Sequence, residues 1–176
     1  MCALSKFLYV FLISLLVSGC GIFSSSSHSK SSSSKNASLS FEDQLNQKYP
    51  NNHIVVSNFG SQVLLTGQML RLEDLFAVKD LAEKTYPDKN IANYLQVNII
   101  EDSKQITADQ YQTKILQEQI TNAGFSDKYV KVTTTNQVNY IQNQLKQTKL
   151  QQLKDFLNKE KISNIVFVTN LEESKS

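Results

Sequence analysis

Residues 54–65, IVVSNFGSQVLL, are the stretch that decides the fold. Its two aliphatic ends, IVV and VLL, flank SNFG, which has the polar and glycine content of a hairpin turn. Gly67 is expected to end the second strand, and between residues 72 and 82 apolar side chains recur at the spacing of one helix face. The stretch therefore predicts a β-hairpin that leads into an amphipathic helix.

The same order of elements recurs about 75 residues later in the chain. Residues 130–134 and 138–141 predict a second hairpin, and residues 145–157 predict a second amphipathic helix. Residues 165–168 then predict a closing strand, which matches the alternating polar and apolar residues 94–99 in the first half. The chain therefore has an internal repeat.

A further helix is predicted ahead of each hairpin. In the second half, Thr107 and Gln110 have the spacing of a capping box, and Gly124 suits the C′ position at the far end. Residues 41–49, which stop at Pro50, are the shorter counterpart in the first half. The apolar stripe of the longer helix is predicted to consist of Ile115, Leu116, Ile120 and Ala123.

These elements predict an α+β fold of two small α-β-β-α-β domains, residues 41–101 and 102–172. Three strands and two helices bury only a modest core, close to the lower limit of independent stability. We therefore expect the two domains to pack against each other.

The N-terminus has the pattern of a bacterial lipoprotein precursor. Residues 7–17 form an apolar run of eleven residues, which spans only about half of a ~30 Å hydrocarbon core and so suits a signal peptide. Residues 17–20, VSGC, resemble a lipobox, which implies removal of residues 1–19 and acylation of Cys20. The alternative is ordinary secretory cleavage that leaves a free N-terminal cysteine.

Residues 20–40 are predicted to be a flexible tether, because eleven of the seventeen residues from 24 to 40 are serine. Several acyl chains on Cys20 would anchor the protein stably to a membrane. In lipoproteins, the absence of Asp after the acylated cysteine usually directs the protein to the outer membrane, and Gly21 occupies that position here. We therefore expect a lipid-anchored protein that faces the periplasm.

The composition argues against several classes of function. A formal net charge of +2 is too small for a typical nucleic-acid binder. Both Cys lie in the N-terminal stretch and Cys2 belongs to the predicted signal peptide, so the Cys and His of the mature chain cannot complete a four-ligand zinc site without other groups, and no catalytic or phosphate-cradling motif occurs. His53 is expected to be a polar residue at a strand edge, and the adjacent carboxylate pairs are expected to be solvated. We predict a protein with no enzymatic activity, metal site or cofactor.

The chain resembles the two-BON-domain outer-membrane lipoproteins. The resemblance lies in residues 63–68 (VLLTGQ), in residues 130–134 (VKVTT) preceded by residues 113–115 (TKI), and in the repeated order of elements. It implies binding of anionic phospholipid and support of cell division and envelope integrity. Asn136 stands in the turn where the family has glycine, and Asn can adopt the left-handed conformation that the turn requires. Gln142 replaces a second expected glycine.

Tyr111, Lys114 and Lys128 are the candidate lipid-contact residues. Residues 101–176 carry ten Lys and nine acidic residues, whereas residues 41–100 have a net charge of −2. Tyr111 and Lys114 lie three apart on one helix, so an aromatic ring and a cation can meet a headgroup layer together. The alternative, which we favour for Tyr111, places this residue in the buried stripe and leaves Lys114 solvated.

Two functions follow from these predictions. The first is a lipid-anchored module whose second domain binds anionic phospholipid headgroups. The second is an assembly lipoprotein that recruits an envelope protein complex, with a partner strand added to an exposed sheet edge.

Overall fold

A computed structural model describes residues 39–168 of the chain. The predicted signal peptide, Cys20 and nearly all of the tether lie outside the described residues, as do residues 169–172 of the predicted second domain. The described residues all belong to one compact unit.

The fold is α+β, with four helices and two three-stranded sheets among the described residues, as the sequence predicts. The first half contains α1 (Phe41–Lys48), β1 (His53–Phe59), β2 (Gln62–Met69), α2 (Leu72–Thr85) and β3 (Asn90–Val97). The second half contains α3 (Ser103–Asn122), β4 (Val130–Thr135), β5 (Val138–Asn143), α4 (Gln147–Lys159) and β6 (Ile165–Val168). The order α-β-β-α-β therefore occurs twice.

The two sheets have the same topology. The strand orders are β1-β2-β3 and β4-β5-β6, with an antiparallel hairpin followed by a parallel third strand in each. The turn of the first hairpin lies later than expected, because Ser57 and Phe59 still belong to β1 and Phe59 pairs with Gln62. Gly67 lies within β2 instead of ending it. In the second hairpin, Asn136 has a φ of 51°, which confirms its left-handed conformation.

Each sheet buries one face under its own two helices. The first core consists of Leu45, Ile54, Val63, Leu65, Met69, Val78, Ala82 and Leu95. The second core consists of Leu116, Ile120, Phe125, Val130, Val132, Ile141, Leu153 and Leu157. In both halves, the alternation of strand residues places every second side chain toward the helices.

The opposite faces of the two sheets pack on each other. Leu64 of β2, Tyr140 of β5 and Val168 of β6 form a third buried cluster, and the rings of Tyr94 and Tyr140 lie 5.2 Å apart. Because helices cover one face of β2 and the second sheet covers the other, every residue of β2 is buried. The predicted packing of one half on the other is present in this contact.

Buried hydrogen bonds also join the two sheets. The Ser57 hydroxyl donates to Gln142 Oε1 at 2.6 Å, and Gln142 Nε2 donates to the Ser57 carbonyl at 3.3 Å. The side-chain amide of Gln142 both donates and accepts a hydrogen bond in this buried contact. This pair of bonds favours one alignment of the two sheets, because any shift would leave buried polar atoms without partners. Gln142 therefore has a structural role between the sheets.

Side chains of α1 cover the outer edge of β1. Glu42 Oε2 accepts from the Val56 backbone N–H at 2.7 Å. One turn later, the Asn46 amide both accepts from the Ile54 N–H and donates to the Ile54 carbonyl, as a neighbouring strand would. These contacts satisfy backbone groups that an unpaired edge strand would offer to another chain.

The outer edge of β4 is covered in the same way by α3. Thr113 Oγ1 accepts from the Thr134 N–H at 2.9 Å. Gln117, one turn later, accepts from the Val132 N–H and donates to the Val130 carbonyl. In both halves, two polar residues four apart on the first helix therefore take the place of a missing strand.

Candidate functional site

Helix α3 carries two of the three predicted lipid-contact residues, and it begins one turn earlier than the sequence suggests. The carboxylate of Asp102 accepts from the N–H groups of Lys104 and Gln105, so Asp102 is the N-cap. The predicted capping box at Thr107 is wrong, because the Thr107 hydroxyl donates to the Ser103 carbonyl inside the helix. The predicted end is confirmed, since Gly124 follows the C-cap with a φ of 93°.

Tyr111 is 66% exposed, so the expectation that it belongs to the buried stripe is wrong. The residues of the stripe that are fully buried are Leu116 and Ile120, whereas Ala123 is exposed. Lys114 is also exposed and lies three residues after Tyr111, on the same side of α3. An aromatic ring and a cation therefore project together from this helix.

Lys128 lies in the loop that follows α3. Its ammonium group is 5.4 Å from the centroid of the Tyr129 ring, which is partly exposed. Asp127 accepts from Gln117 Nε2, and this bond holds the loop beside the last turns of the helix. At about 1.5 Å per residue, these turns lie roughly 10–15 Å along the axis from Tyr111. The three candidates therefore do not converge on one pocket.

A cleft of about 630 Å³ opens between the edges of β1 and β4. Helices α1 and α3 form its remaining walls, and its charged or titratable lining residues are Glu42, His53, Asp109, Lys114 and Lys131. This volume is in the usual range of small-molecule sites. The sequence did not predict the cleft, because its walls come from segments about 75 residues apart.

Lys131 is the half-buried cation of the cleft. Its ammonium group donates to the Asn58 carbonyl at 3.4 Å. Burial lowers the pKa of Lys131 from its usual value, and the Glu42 carboxylate opposes this shift. An ammonium group with only a long carbonyl contact is poorly compensated for its lost hydration.

His53 is the first residue of β1, which confirms its expected place at the end of a strand. Its Nδ1 atom lies 3.4 Å from Gln68 Oε1 and 3.9 Å from Glu101 Oε2. Within residues 39–168, no group of three or more His, Cys, Asp or Glu side chains could hold a metal ion.

The structure also reveals an exposed apolar patch that the sequence reasoning missed. Its residues are 49–85% exposed and are Leu70, Leu72, Phe76, Val97 and Ile99. Because β2 and β3 are parallel and Met69 pairs with Val97, the residues that follow these two strands meet at one end of the first sheet. We call these five residues the apolar patch.

One signal for the patch was present in the sequence. Phe76 falls outside the helical stripe defined by Leu75 and Val78, and an aromatic residue outside a buried stripe indicates a possible contact surface. The helical spacing predicts that Leu72 belongs to the stripe, but it lies at the exposed start of α2. The alternation of residues 94–99 predicts that Ile99 belongs to the third strand, but β3 ends at Val97.

No helix among the described residues combines the length and apolar character needed to cross a bilayer. Comparison of the sequence with protein-family models found no match, and comparison with curated proteins found none at a significant level.

Proposed function

We propose that the chain is a non-enzymatic lipoprotein of the outer membrane. Acyl chains on Cys20 would hold the folded body on the periplasmic side, where it contacts anionic phospholipid and supports outer-membrane integrity. We also propose that residues 41–101 and 102–172 are BON-like domains, and the repeated α-β-β-α-β order supports this assignment.

The observation that carries the lipid proposal is the exposure of Tyr111 one turn from Lys114 on α3. A tyrosine ring is suited to the headgroup layer because its body is apolar and its tip is polar, and an adjacent ammonium group can meet a lipid phosphate. A single basic residue contributes only about 1 kcal/mol at an anionic surface. The acyl anchor offsets this weakness because it keeps the body at a high local concentration beside the membrane.

Flotation with lipid vesicles tests the proposal on the mature chain, with Cys20→Ser to remove the acyl chains. The protein should float with vesicles that contain phosphatidylglycerol and remain in the lower fraction with vesicles of phosphatidylcholine alone. Added salt should weaken the association, because exposed charges are screened. Equal flotation with both vesicle types, or none with either, would count against binding of anionic lipid.

The double substitution Lys114→Glu and Lys128→Glu should reduce flotation with anionic vesicles several-fold. Both side chains are exposed, so the melting temperature should change little. The matched control is Lys149→Glu with Lys159→Glu, which changes the net charge equally on the exposed surface of α4. If both double variants lose binding to the same extent, net charge and not the face of α3 determines the association.

The second candidate function is recruitment of an envelope protein, and the apolar patch favours it. Glu73 and Asp74 lie beside the patch on α2, with Arg71 paired to Glu73 at 3.4 Å, so the surroundings do not attract an anionic bilayer. The covered edges of β1 and β4 argue against strand addition at those two edges. The other edge strands are β3 and β6. A partner would therefore dock on the apolar patch through side chains or add a strand at one of these two edges.

Phe76→Ser in the acylated protein distinguishes this function from lipid binding. Under the recruitment hypothesis, the variant should lose co-purification with an envelope protein while its flotation with anionic vesicles stays unchanged. Because Phe76 is more than half exposed, the free energy of unfolding of the variant should change by only about 0.5 kcal/mol. An unchanged set of co-purified envelope proteins would reject the apolar patch as a docking surface.

A further inference from the structure

We propose that the cleft between β1 and β4 binds the phosphate group of an anionic phospholipid headgroup, with Lys131 as its principal cation and Lys114 at its rim. The inference rests on the proposed function, since it assigns a binding site to the same lipid. It differs from surface contact by α3 because it places the phosphate inside a formed cavity.

The two lysines of the cleft have no anionic partner in the part of the chain that the structure describes. Within residues 39–168, neither Lys114 nor Lys131 forms an ion pair, although each lines the cleft. Lys131 is half-buried, and its lowered pKa reflects the cost of its desolvation. A phosphate oxygen would supply the charge-assisted hydrogen bond that the Asn58 carbonyl at 3.4 Å provides only weakly.

The two acidic residues of the cleft already have hydrogen-bond partners. Glu42 Oε2 accepts from the Val56 N–H, and Asp109 accepts from Gln105 Nε2 and from the Gln137 N–H. Both carboxylates therefore accept hydrogen bonds from backbone and amide donors of the fold, and Glu42 acts on Lys131 only through its charge. The lysines, in contrast, have free donor capacity toward a ligand.

The strand that carries Lys131 also carries a buried hydroxyl without a hydrogen-bond partner in the described part of the chain. Thr135 is only 2% exposed and lines the cleft, yet its Oγ1 atom has no hydrogen-bond partner among the described residues. Lys131 and Thr135 lie four residues apart on β4, so their side chains are on the same face of the strand. A buried hydroxyl without a partner is rare. At about 3.3 Å per residue the two Cα atoms are roughly 13 Å apart, so with the phosphate on Lys131 it is a glycerol hydroxyl of the headgroup that would meet Thr135 Oγ1.

The position of Lys114 connects the cleft to the membrane contact. Lys114 lines the cleft and lies on the same side of α3 as Tyr111. A headgroup that enters the cleft can therefore remain attached to a bilayer that touches Tyr111. Free phosphate has the same chemistry, so the experiment must separate the two sources.

The test uses the mature Cys20→Ser chain and two soluble probes, inorganic phosphate and glycerophosphoglycerol, the deacylated headgroup of phosphatidylglycerol. Amide NMR shifts should change saturably at residues 131–135 with glycerophosphoglycerol. Lys131→Met should weaken this binding at least about tenfold, because it removes a charge-assisted hydrogen bond. Lys149→Met, on the exposed surface of α4, should leave it unchanged. Lys131→Met should also reduce flotation with vesicles that contain phosphatidylglycerol.

The outcomes separate the inference from the proposed function. If wild-type protein floats with anionic vesicles and Lys131→Met floats equally well, the cleft assignment is overturned while the proposed function stands. If glycerophosphoglycerol and phosphate both shift the cleft amides but no vesicle binds, the cleft is a site for soluble phosphate and the lipid source is rejected. If neither probe shifts residues 131–135, the cleft assignment is overturned.

Discussion

Gly67→Ala should lower the free energy of unfolding by about 3 kcal/mol or more, one of the largest effects expected from any single substitution in this chain. Gly67 lies inside β2 with a φ of +116°, a conformation that other residues rarely adopt. A Cβ atom there would lie 1.9 Å from the His53 carbonyl oxygen. Because this oxygen belongs to the backbone of β1, the hairpin itself would have to move.

Gly124→Ala is the matched control for this prediction. Gly124 also has a positive φ, but a Cβ atom at that position would meet no atom within 4 Å. The control substitution should therefore cost only about 1 kcal/mol, from the strained backbone alone. Urea denaturation of both variants gives the comparison. Equal losses of stability would show that the contact with His53 relaxes easily, and the structural role given to Gly67 would be wrong.

The sequence could predict which face of each sheet packs against the helices, because the local spacing of apolar residues indicates it. In β2, Val63, Leu65 and Met69 face the helices and belong to the first core. The internal repeat then predicted the same arrangement for the second half, and the structure has it. Patterns that repeat every two or 3.6 residues require no knowledge of the partner element.

The details of the contact between the two sheets could not be predicted, because they depend on residues far apart in the chain and not on a local pattern. The other face of β2 carries Gln62, Thr66 and Gln68, a polar pattern that normally indicates a solvent-exposed face. These residues are buried because the second sheet packs over them. The hydrogen bonds between Ser57 and Gln142 join residues 85 apart in the chain, and no local pattern predicts such a pair.

In the candidate site, too, the features that follow from local periodicity could be predicted, and those that arise from tertiary packing could not. The exposure of Lys114 follows from helical periodicity, and so does that of Tyr111, because nine residues separate it from the buried Ile120 and place the two on opposite faces of a helix. The N-cap was the part of α3 that the sequence misplaced. Asp102 competes with Thr107 as the N-cap and forms two backbone hydrogen bonds there. The cleft and its cation Lys131 arise only from the packing of β1 beside β4, so they appear only in three dimensions.

The covered outer edges of β1 and β4 disfavour strand addition at these edges as a way to recruit a partner protein. The sequence alone could not show this. Glu42 with Asn46 and Thr113 with Gln117 are polar pairs four residues apart, which on a helix usually indicate a solvated surface. Here they bind the backbone of the neighbouring edge strand. Strand addition at β1 or β4 would first have to displace these contacts.

Leu153→Ala should lower the free energy of unfolding by about 2–5 kcal/mol, because it removes a fully buried side chain and leaves a cavity. Leu153 belongs to the core formed by α3, α4 and the second sheet. The first half has a separate core. We therefore expect the direct loss of packing to be confined to the second half.

The substitution should nevertheless destabilise the first half as well, through the contacts of β5. Ile141 shares the core of Leu153, and the preceding residue, Tyr140, packs on Leu64 from the other face of the same strand. If this contact couples the halves, amide signals from both sheets should disappear at one urea concentration in the variant. The control is Leu72→Ala, the same substitution at a leucine that is more than half exposed, and it should change stability by at most about 0.5 kcal/mol. Unfolding of the second sheet at a lower urea concentration than the first would show that the contact between Leu64 and Tyr140 does not make the two halves a single cooperative unit.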